Sequence, residues 1–400
     1  MMIDVNKNAK ELEGEGGFVW LGKAREWERQ TGKKAIHLEI GEPDFRTPDN
    51  IVEAGVRALH DGKTNYTPSN GIRELREAVA EYLGAKRGVT IDPDCVVIGP
   101  GAKAVINALS QTIIERTNPN TAVIMPDPGY GPYIDNAEYY GAKVYRVPME
   151  ERHDWRYNTD VLRDVVESVP KEMDKVLITI SPSNPTGGVL GKEDWDVVEE
   201  LAKKHDMLVV SDEIYDDFVF EGGHTSILSR DGMMERTVLI HGASKTWAMT
   251  GWRLGWAVIP KHLAPTVGKV IGNIVSCTAE FTQYAGIEAV RGPQGEVAKM
   301  KGEYRARRDY AVKAFKDMGC YCSLPGGSFY AYPNIRKIMD SRGFKSELDL
   351  CNALLQERGV VCLPGPAFGP GGKDHIRLSL VSSLDDIKEG MKRIKDFAGF

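Results

Sequence analysis

The chain has 400 residues, 42% of them hydrophobic, and is therefore long enough to bury a sizeable core and to form two domains. Its net charge of -6 at pH 7 creates no general field that would attract nucleic acid or an anionic membrane, which leaves small molecules as the expected partners. The six cysteines contain no C-x-x-C pair and indicate neither a zinc site nor a disulfide framework, so we expect no bound metal, reduced thiols and a cytoplasmic location. Residues 1–17 are too polar for a signal peptide, and no apolar run reaches membrane-spanning length, so we expect a soluble, unprocessed protein.

Seven short apolar runs alternate with amphipathic stretches between about residues 95 and 260. The runs are CVVI (95–98), TAVIM (121–125), KVYRV (143–147), VLITI (176–180), MLVV (207–210), TVLI (237–240) and WAVI (256–259). Runs that are apolar throughout are typical of strands covered on both faces, and the helical patterns at 102–116 and 192–205 would provide crossovers. The sequence predicts an α/β fold whose large domain holds a mostly parallel seven-stranded sheet between helices.

The two ends of the chain have a different pattern, with shorter mixed elements and Gly/Pro-rich segments such as LPGGSFY (324–330). We expect residues 46–292 to form the large domain, and residues 1–45 and 293–400 to form a smaller, discontinuous α+β domain. The basic cluster EYRARRDY (303–310) has helical spacing, and we interpret it as a solvated helix face rather than a binding patch.

Small, polar or turn residues follow five of the predicted strands directly. These loops are GPGAK (99–103), PDPGY (126–130), SPSNPTGG (181–188), SDEIY (211–215) and HGASK (241–245). In an open parallel sheet the ligand crevice lies beyond the carboxyl ends of the strands. We therefore expect the five loops to converge on one site.

The residues of these loops indicate a phosphate and a reactive amine. Gly101 and Ala102 open a helix whose N–H groups favour a phosphate, although tight packing explains a glycine turn equally well. Arg253 can bind phosphate oxygens with two N–H groups. Lys245 ends a buried strand, and a lysine in a desolvated cleft has a lowered pKa and becomes a Schiff-base nucleophile.

Asp212 lies at a strand end, where its carboxylate needs a positive partner or a helix cap. If the ligand is a pyridine ring, this carboxylate would keep the ring nitrogen protonated and make the ring an electron sink. Tyr215 and Asn184 would then bond the ring's phenolic oxygen, and Tyr130 would stack on its face.

Six ordered motifs span nearly the whole chain: GEPDF (41–45), YTPSNGIRELREA (66–78), SPSNPTGG, SDEIY, SKTWAMTGWRLGW (244–256) and IRLSL (376–380). In these motifs the chain resembles the fold-type I, pyridoxal-phosphate-dependent aminotransferases of class I/II, which include aspartate and aromatic aminotransferases. The resemblance implies pyridoxal 5'-phosphate as cofactor, with Lys245 forming the internal aldimine and Asp212 pairing with the pyridine nitrogen. It likewise implies ring-oxygen contacts from Asn184 and Tyr215, and Tyr130 on the ring face. The residues that it implies around the phosphate are Gly101, Ala102, Lys103, Ser244 and Arg253.

The resemblance also implies a homodimer and a substrate clamp. Tyr66 is similar to the family residue that reaches the phosphate of the partner's cofactor. Arg377 resembles the residue that binds the substrate α-carboxylate, helped by Asn184 and the backbone of Gly41; its alternative is an ordinary strand salt bridge. One departure is Gly242, where many members carry serine or threonine, so a phosphate contact is missing or comes from elsewhere, for example Ser244.

The activity that the resemblance implies is ping-pong transfer of an amino group between an L-amino acid and a 2-oxo acid, with Lys245 moving the α-proton as base and acid in turn. The alternative is a lyase of the same fold, such as a carbon–sulfur β-lyase or an aminocyclopropane-carboxylate-type synthase. More remote are a cofactor-sensing regulator, which needs a basic winged-helix segment, and a nicotinamide dehydrogenase, for which no G-x-G-x-x-G follows a predicted strand.

The substrate side chain is expected to lie near GFVWLG (17–22), Tyr130 and the partner's Tyr66. Phe18 and Trp20 suit an apolar or aromatic side chain, but packing between domains explains them equally well. A dicarboxylate would usually need a second cation, which the sequence does not identify securely. Acidic, aromatic and aliphatic substrates all stay open.

Overall fold

The computed structural model describes residues 9–10, 12, 16–115 and 120–400. Most of residues 1–17, the segment that we judged too polar for a signal peptide, lies outside the described residues. Residue 116, at the end of the predicted helix 102–116, also lies outside them. The strands are β1 Ile36–His37, β2 Val96–Gly99, β3 Thr121–Asp127, β4 Lys143–Pro148, β5 Asp174–Ile180, β6 Leu208–Asp212, β7 Thr237–Gly242, β8 Gly255–Val258, β9 Tyr330–Ala331, β10 Val360–Val361, β11 Leu363–Pro364 and β12 Ile376–Ser379.

The helices alternate with the strands in the middle of the chain and predominate at its ends. They are α1 Gly16–Thr31, α2 Asp49–His60, α3 Arg73–Arg87, α4 Ala102–Ile113, α5 Gly131–Tyr140, α6 Thr159–Ser168, α7 Lys192–Lys204, α8 Ala243–Thr246, α9 Ala264–Val275, α10 Glu280–Arg291, α11 Gly295–Asp317, α12 Arg336–Arg342, α13 Glu347–Arg358 and α14 Leu384–Ala398. Within the described ranges, no helix combines the length and the apolar character that crossing a membrane requires.

All seven predicted strands join one sheet, in the order β2-β8-β7-β6-β5-β3-β4. The pairs among β3 to β7 are parallel, whereas β8 runs antiparallel to both β2 and β7. Every residue of β2, β3, β7 and β8 is buried, which explains why their apolar runs do not alternate with polar residues. The predicted α/β fold with a mostly parallel seven-stranded sheet is confirmed.

Several strands extend about two residues beyond their apolar runs. β6 continues to Asp212 and β7 to Gly242, because backbone ladder bonds do not require apolar side chains. The polar residues of the predicted site therefore begin inside the sheet rather than after it.

Alternate residues of the central strands face different helix layers. Val210 and Ile240 belong to the hydrophobic cluster that contains Val105 of α4. Their neighbours Val209 and Leu239 belong to clusters on the opposite face. Two covered faces make this sheet a rigid base, from which the strand-end residues project.

Two small sheets are formed by strands from outside the central part of the chain. β1 pairs in parallel with β10, so that Ile36 lies opposite Val360. β11, β12 and β9 form an antiparallel sheet in that order. The predicted domain boundaries at 45/46 and 292/293 stay a prediction.

The interpretation of residues 303–310 as a solvated face is wrong for two arginines. Arg307 and Arg308 of α11 are buried. Arg307 forms two hydrogen bonds to the Asp44 carboxylate, at 2.7 and 3.0 Å, and Arg308 forms two to Glu221, at 2.9 and 3.0 Å. Helical spacing could not reveal this, because a buried guanidinium depends on carboxylates from distant segments.

Candidate active site

All five predicted loops contribute to one cavity of about 800 Å³ beyond the carboxyl ends of the parallel strands. The predicted residues that line it are Gly41, Ala102, Lys103, Tyr130, Asn184, Asp212, Tyr215, Ser244, Lys245, Arg253 and Arg377. Convergence of residues so far apart in sequence follows from the sheet topology, because parallel strands end at the same edge. The structure thus brings these residues together, and their chemical roles stay predictions.

Lys245 lies in α8, which begins where β7 ends. Its Nζ donates a hydrogen bond of 2.6 Å to the backbone oxygen of Gly41. The next residue, Thr246, is buried and donates a 3.0 Å hydrogen bond to the Asp217 carboxylate. The short helix is therefore anchored on its buried side while the amine reaches the cavity.

Asp212 is the last residue of β6 and is buried. Burial raises the pKa of its carboxyl to about 6, against the lowering effect of hydrogen bonds from the Tyr133 hydroxyl at 2.9 Å and the Ile214 N–H at 3.2 Å. A cation placed beside this carboxyl would lower its pKa again, because an opposite charge nearby favours ionisation. A buried acid of this kind fits the protonated nitrogen of a pyridine ring.

Asn184 and Tyr215 line the same cavity, and both are buried. The Asn184 Oδ1 accepts a 3.1 Å hydrogen bond from Arg377, and the Tyr215 hydroxyl lies 3.0 Å from that of Tyr330. Burial raises the pKa of Tyr215 well above its usual value, so this hydroxyl keeps its proton. It is thus a donor suited to a phenolic oxygen.

Arg377 is buried between two aromatic rings. Its guanidinium carbon lies 4.5 Å from the ring centre of Tyr330 and 4.8 Å from that of Phe368, and its Nη2 donates to the Glu39 backbone oxygen. In the described part of the chain Arg377 forms no salt bridge, and its buried Nε has no hydrogen-bond partner. A strand salt bridge therefore does not account for it, and its unused donor fits an incoming carboxylate.

The start of α4 and Arg253 form the predicted phosphate region. Gly101 precedes α4 with a φ of 90°, and a Cβ at this position would lie 2.4 Å from Arg253 Nη2. The positive φ favours glycine here, and the absence of a side chain lets the guanidinium lie against the helix terminus. Helix N–H groups beside an arginine fit a phosphate dianion.

Gly242 is explained by the neighbouring strand. It pairs with Gly255 of β8, and a Cβ at Gly242 would lie 2.9 Å from the Gly255 Cα and 3.1 Å from the Leu254 oxygen. A serine or threonine would not fit without moving β8. Ser244, two residues later, brings a hydroxyl-bearing side chain to the cavity.

Three aromatic residues expected near the substrate have different positions. Phe18 lines the cavity and is 63% exposed. Trp20 is buried in the hydrophobic core, so the packing alternative applies to it. Tyr66 is 89% exposed and lies outside the residues that line the cavity.

Two tyrosines of the site were missed by the sequence reasoning. Tyr133 follows Tyr130 by three residues in the first turn of α5, a spacing that could have indicated it. Tyr330 lies in the two-residue strand β9, which carries no periodic signal. Both hydroxyls contact predicted site residues, Asp212 and Tyr215 respectively.

Comparison with known proteins identifies relatives along nearly the whole chain. Residues 33–394 match the family described as aminotransferase class I and II. The aspartate aminotransferase of Pyrococcus abyssi is 37% identical over 369 residues, 91% of this chain and 91% of that protein. The aromatic-amino-acid aminotransferase 2 of Thermococcus litoralis is 37% identical over 365 residues, 90% of each protein. The structure of the aspartate aminotransferase from Thermus thermophilus with maleate matches with a TM-score of 0.92 at 30% identity, over 99% of this chain and 100% of that chain.

The family match extends from the segment before GEPDF to beyond IRLSL, and so includes every motif that carried the resemblance. Sequence relatives and structural neighbours agree over the same extent. The chain therefore belongs to the class I and II aminotransferases, a family of pyridoxal-phosphate-dependent enzymes.

Proposed function

We propose that the protein transfers an amino group between an L-amino acid and a 2-oxo acid through Lys245, Asp212 and Arg377. The observation that carries this proposal is the single cavity that contains an amine, a buried carboxyl and a buried guanidinium. When bound, pyridoxal phosphate supplies the electron sink that makes the α-proton of the amino acid acidic.

The residues on the cofactor side of the cavity would bind and orient the cofactor. Asp212 would hold a positive charge at the ring nitrogen, because a buried carboxylate is stabilised by a cation placed beside it. Tyr130 would cover the ring, and Tyr215 and Asn184 would donate hydrogen bonds to its oxygen. The residues at the start of α4, together with Ser244 and Arg253, would hold the phosphate.

The residues on the substrate side fix the α-carboxylate. Arg377 is held by the rings of Tyr330 and Phe368 and by Asn184, so its orientation exists before substrate arrives. The backbone of Gly41 completes the clamp. A carboxylate fixed at this position would direct the α-proton towards Lys245.

Lys245 moves the proton. Its amine lies in the cavity 2.6 Å from the Gly41 oxygen, close to the backbone that borders the carboxylate site. The amine accepts the α-proton and returns it at a neighbouring carbon, as a general base and then a general acid. A second oxo acid reverses the sequence and completes the ping-pong cycle.

The side chains accepted are expected to be acidic or aromatic. Relatives are named for aspartate and for aromatic amino acids. Phe18 contributes an aromatic surface to the cavity, and Lys103 contributes a cation whose Nζ lies 5.9 Å from the ring centre of Tyr130. We infer that Phe18 favours aromatic side chains, whereas Lys103 belongs to the phosphate side of the cavity.

Half-reactions test the proposal directly. Purified enzyme is mixed with one amino acid at a time, without an oxo acid, and the absorbance of the lysine-bound cofactor is followed. We expect stoichiometric conversion to the aminated cofactor and one equivalent of 2-oxo acid. Continuous release of pyruvate and ammonia without an acceptor would instead identify a lyase.

We also propose a cytoplasmic homodimer whose subunits each have a large domain (46–292) and a small domain (1–45 and 293–400). Tyr66 is exposed, as are Ile274 and Val275 at the end of α9, which is compatible with an interface. All six cysteines are free thiols, which suits a reducing compartment.

Hybrid dimers test the role of Tyr66. Lys245→Ala and Tyr66→Ala subunits are co-expressed with different tags, and the mixed dimer is isolated. If Tyr66 serves the site of the partner subunit, the mixed dimer contains one intact site and recovers about half of the wild-type activity per dimer. Activity no higher than in the Tyr66→Ala homodimer contradicts that role, and a monomer in sedimentation contradicts the dimer.

A further inference from the structure

Tyr330 contacts three groups that belong to different sides of the cavity. Its hydroxyl lies 3.0 Å from the hydroxyl of Tyr215. The guanidinium of Arg377 lies over its ring, 4.5 Å from the centre. A Cβ at Gly41 would lie 2.0 Å from the Tyr330 hydroxyl, so this hydroxyl occupies the space beside the Gly41 backbone. The residue is only 2% exposed, and packing therefore restricts its movement.

The register of the small antiparallel sheet determines the contact with Arg377. Tyr330 of β9 lies opposite Ser379 of β12, and Ala331 lies opposite Leu378. Residues two apart on a strand share a face, so Arg377 and Tyr330 are diagonal neighbours on one face. The sheet itself thus aligns the ring with the guanidinium.

The direction of the hydrogen bond between the two tyrosines follows from the proposed role of Tyr215. A tyrosine has one proton to donate, and Tyr215 uses it towards the ring oxygen of the cofactor. The Tyr215 oxygen is then the acceptor, and Tyr330 is the donor. Donation into the Tyr215 oxygen polarises the Tyr215 O–H bond and strengthens its own donation.

We propose that Tyr330 is a positioning residue that orients the Tyr215 hydroxyl and holds the Arg377 guanidinium, so that one side chain aligns the cofactor side of the site with the carboxylate side. This inference rests on the proposed roles of Tyr215 and Arg377. It assigns separate tasks to the hydroxyl and the ring of Tyr330, and two substitutions separate them.

Tyr330→Phe removes the hydroxyl and keeps the ring. We expect the pH at which the lysine-bound cofactor loses its proton to rise by about half a unit to one unit, because the negative ring oxygen is less stabilised. The dissociation constant of the cofactor should rise about threefold to tenfold. The KM for the amino acid should stay within about twofold of wild type, since the Arg377 contact remains.

Tyr330→Leu removes the ring as well. We expect the same shift in the spectral titration and, in addition, a rise in KM of about threefold to thirtyfold, because the guanidinium loses one of its two ring contacts. Tyr332→Phe is the matched control. Its buried hydroxyl lies on the same sheet but donates to the Gly365 backbone oxygen, so the titration and KM should match wild type.

The outcomes separate the two levels of inference. A Tyr330→Phe titration identical to wild type, or an equal shift in Tyr332→Phe, would overturn the positioning role and leave the proposed function intact. Wild-type protein without the visible absorbance of a lysine-bound cofactor would overturn the proposed function itself. Thermal melting of each variant prepared without cofactor identifies any loss of folding, and the cofactor dissociation constant provides a readout independent of turnover.

Discussion

The amine of Lys245 lies 2.6 Å from the backbone oxygen of Gly41, so the reactive lysine and the GEPDF segment touch directly. Lys245 follows the large sheet, whereas Gly41 follows β1, which pairs with a strand near the carboxyl terminus. The two halves of the cavity are therefore in contact at the amine to which we assign the proton transfer. Substitutions of single residues around this contact should therefore have distinct, measurable effects.

Replacement of Lys245 by alanine should abolish covalent attachment of the cofactor and lower kcat by about 10⁴-fold, because both proton transfers lose their carrier. Absorbance spectra and steady-state turnover check this. Lys204→Ala is the control, since Lys204 of α7 forms an exposed ion pair with Glu167 of α6 and its loss should leave both readouts unchanged. Steady wild-type turnover by Lys245→Ala would contradict the assignment.

Asp212→Asn should stabilise the protein prepared without cofactor while lowering activity. Burial raises the pKa of Asp212 from 3.8 to about 6, so its contribution to stability is full below pH 3.8 and is lost as the pH rises to about 6. Asparagine cannot ionise, so the variant keeps its stability as the pH rises. It should be up to about 3 kcal/mol more stable than wild type at pH 8, with little difference at pH 4. Urea unfolding at both pH values measures it. A stability difference independent of pH would show that Asp212 does not titrate in this range.

Arg377→Leu should lower kcat/KM for amino acids by about 10² to 10³-fold, because the α-carboxylate loses its charged hydrogen bonds. A substrate whose α-carboxylate is replaced by a carboxamide provides the control. Wild-type enzyme should discriminate strongly against the amide, and the variant should discriminate little. Equal discrimination by both enzymes would place the carboxylate elsewhere.

Arg253→Gln should weaken binding of pyridoxal phosphate by about 10 to 100-fold, because a charged donor to the phosphate is lost. Pyridoxal, which lacks the phosphate, should bind wild type and variant equally. Titrations of protein prepared without cofactor compare the two ligands. A similar loss for both would mean that Arg253 acts on the ring or on folding.

Glu213→Gln should destabilise the fold without changing the cavity directly. Burial alone would raise the pKa of Glu213, but Arg87 at 2.5 Å and His224 at 2.8 Å outweigh it and hold the pKa at about 2. The ionised form therefore contributes stability above pH 4.5, which is lost as the pH falls towards 2. We expect the variant to lose about 3 kcal/mol at pH 7 and progressively less below pH 4.5.

The control for this prediction is Asp317→Asn, which removes an exposed ion pair with Lys313 and should cost at most about 0.5 kcal/mol. Urea unfolding at pH 7, 5 and 3 compares both variants with wild type. Equal losses of stability in the two variants would show that the buried carboxylate of Glu213 contributes no more than the exposed carboxylate of Asp317.

The strands and the five loops could be predicted because each depends on local pattern. Strands such as β3 and β7 are apolar on both faces, and topology alone brings their ends to one edge. Lys245 and Asp212 could be singled out because a charged group near the end of a buried strand needs a specific partner. The family resemblance then supplied the cofactor.

The contacts of Tyr330 and Arg307 could not be predicted, because they depend on distant segments. Tyr330 meets Tyr215, 115 residues away, from a strand too short to have a period. Arg307 meets Asp44 across 263 residues, and its helical spacing resembles that of an exposed charge. Such pairs result from tertiary packing, and the pattern of residues within a short stretch of sequence does not indicate them.

Asp212 and Glu213 are consecutive and both are buried, yet one has a pKa of about 6 and the other of about 2. Successive side chains in extended backbone point in opposite directions, so one carboxyl enters the cavity and the other meets Arg87. A slip of one residue between β6 and β7, where Asp212 now lies opposite Ile240, would exchange the two carboxyls. The hydrogen-bond register between β6 and β7 thus determines which carboxyl enters the cavity, and the site depends on it as much as on the side chains themselves.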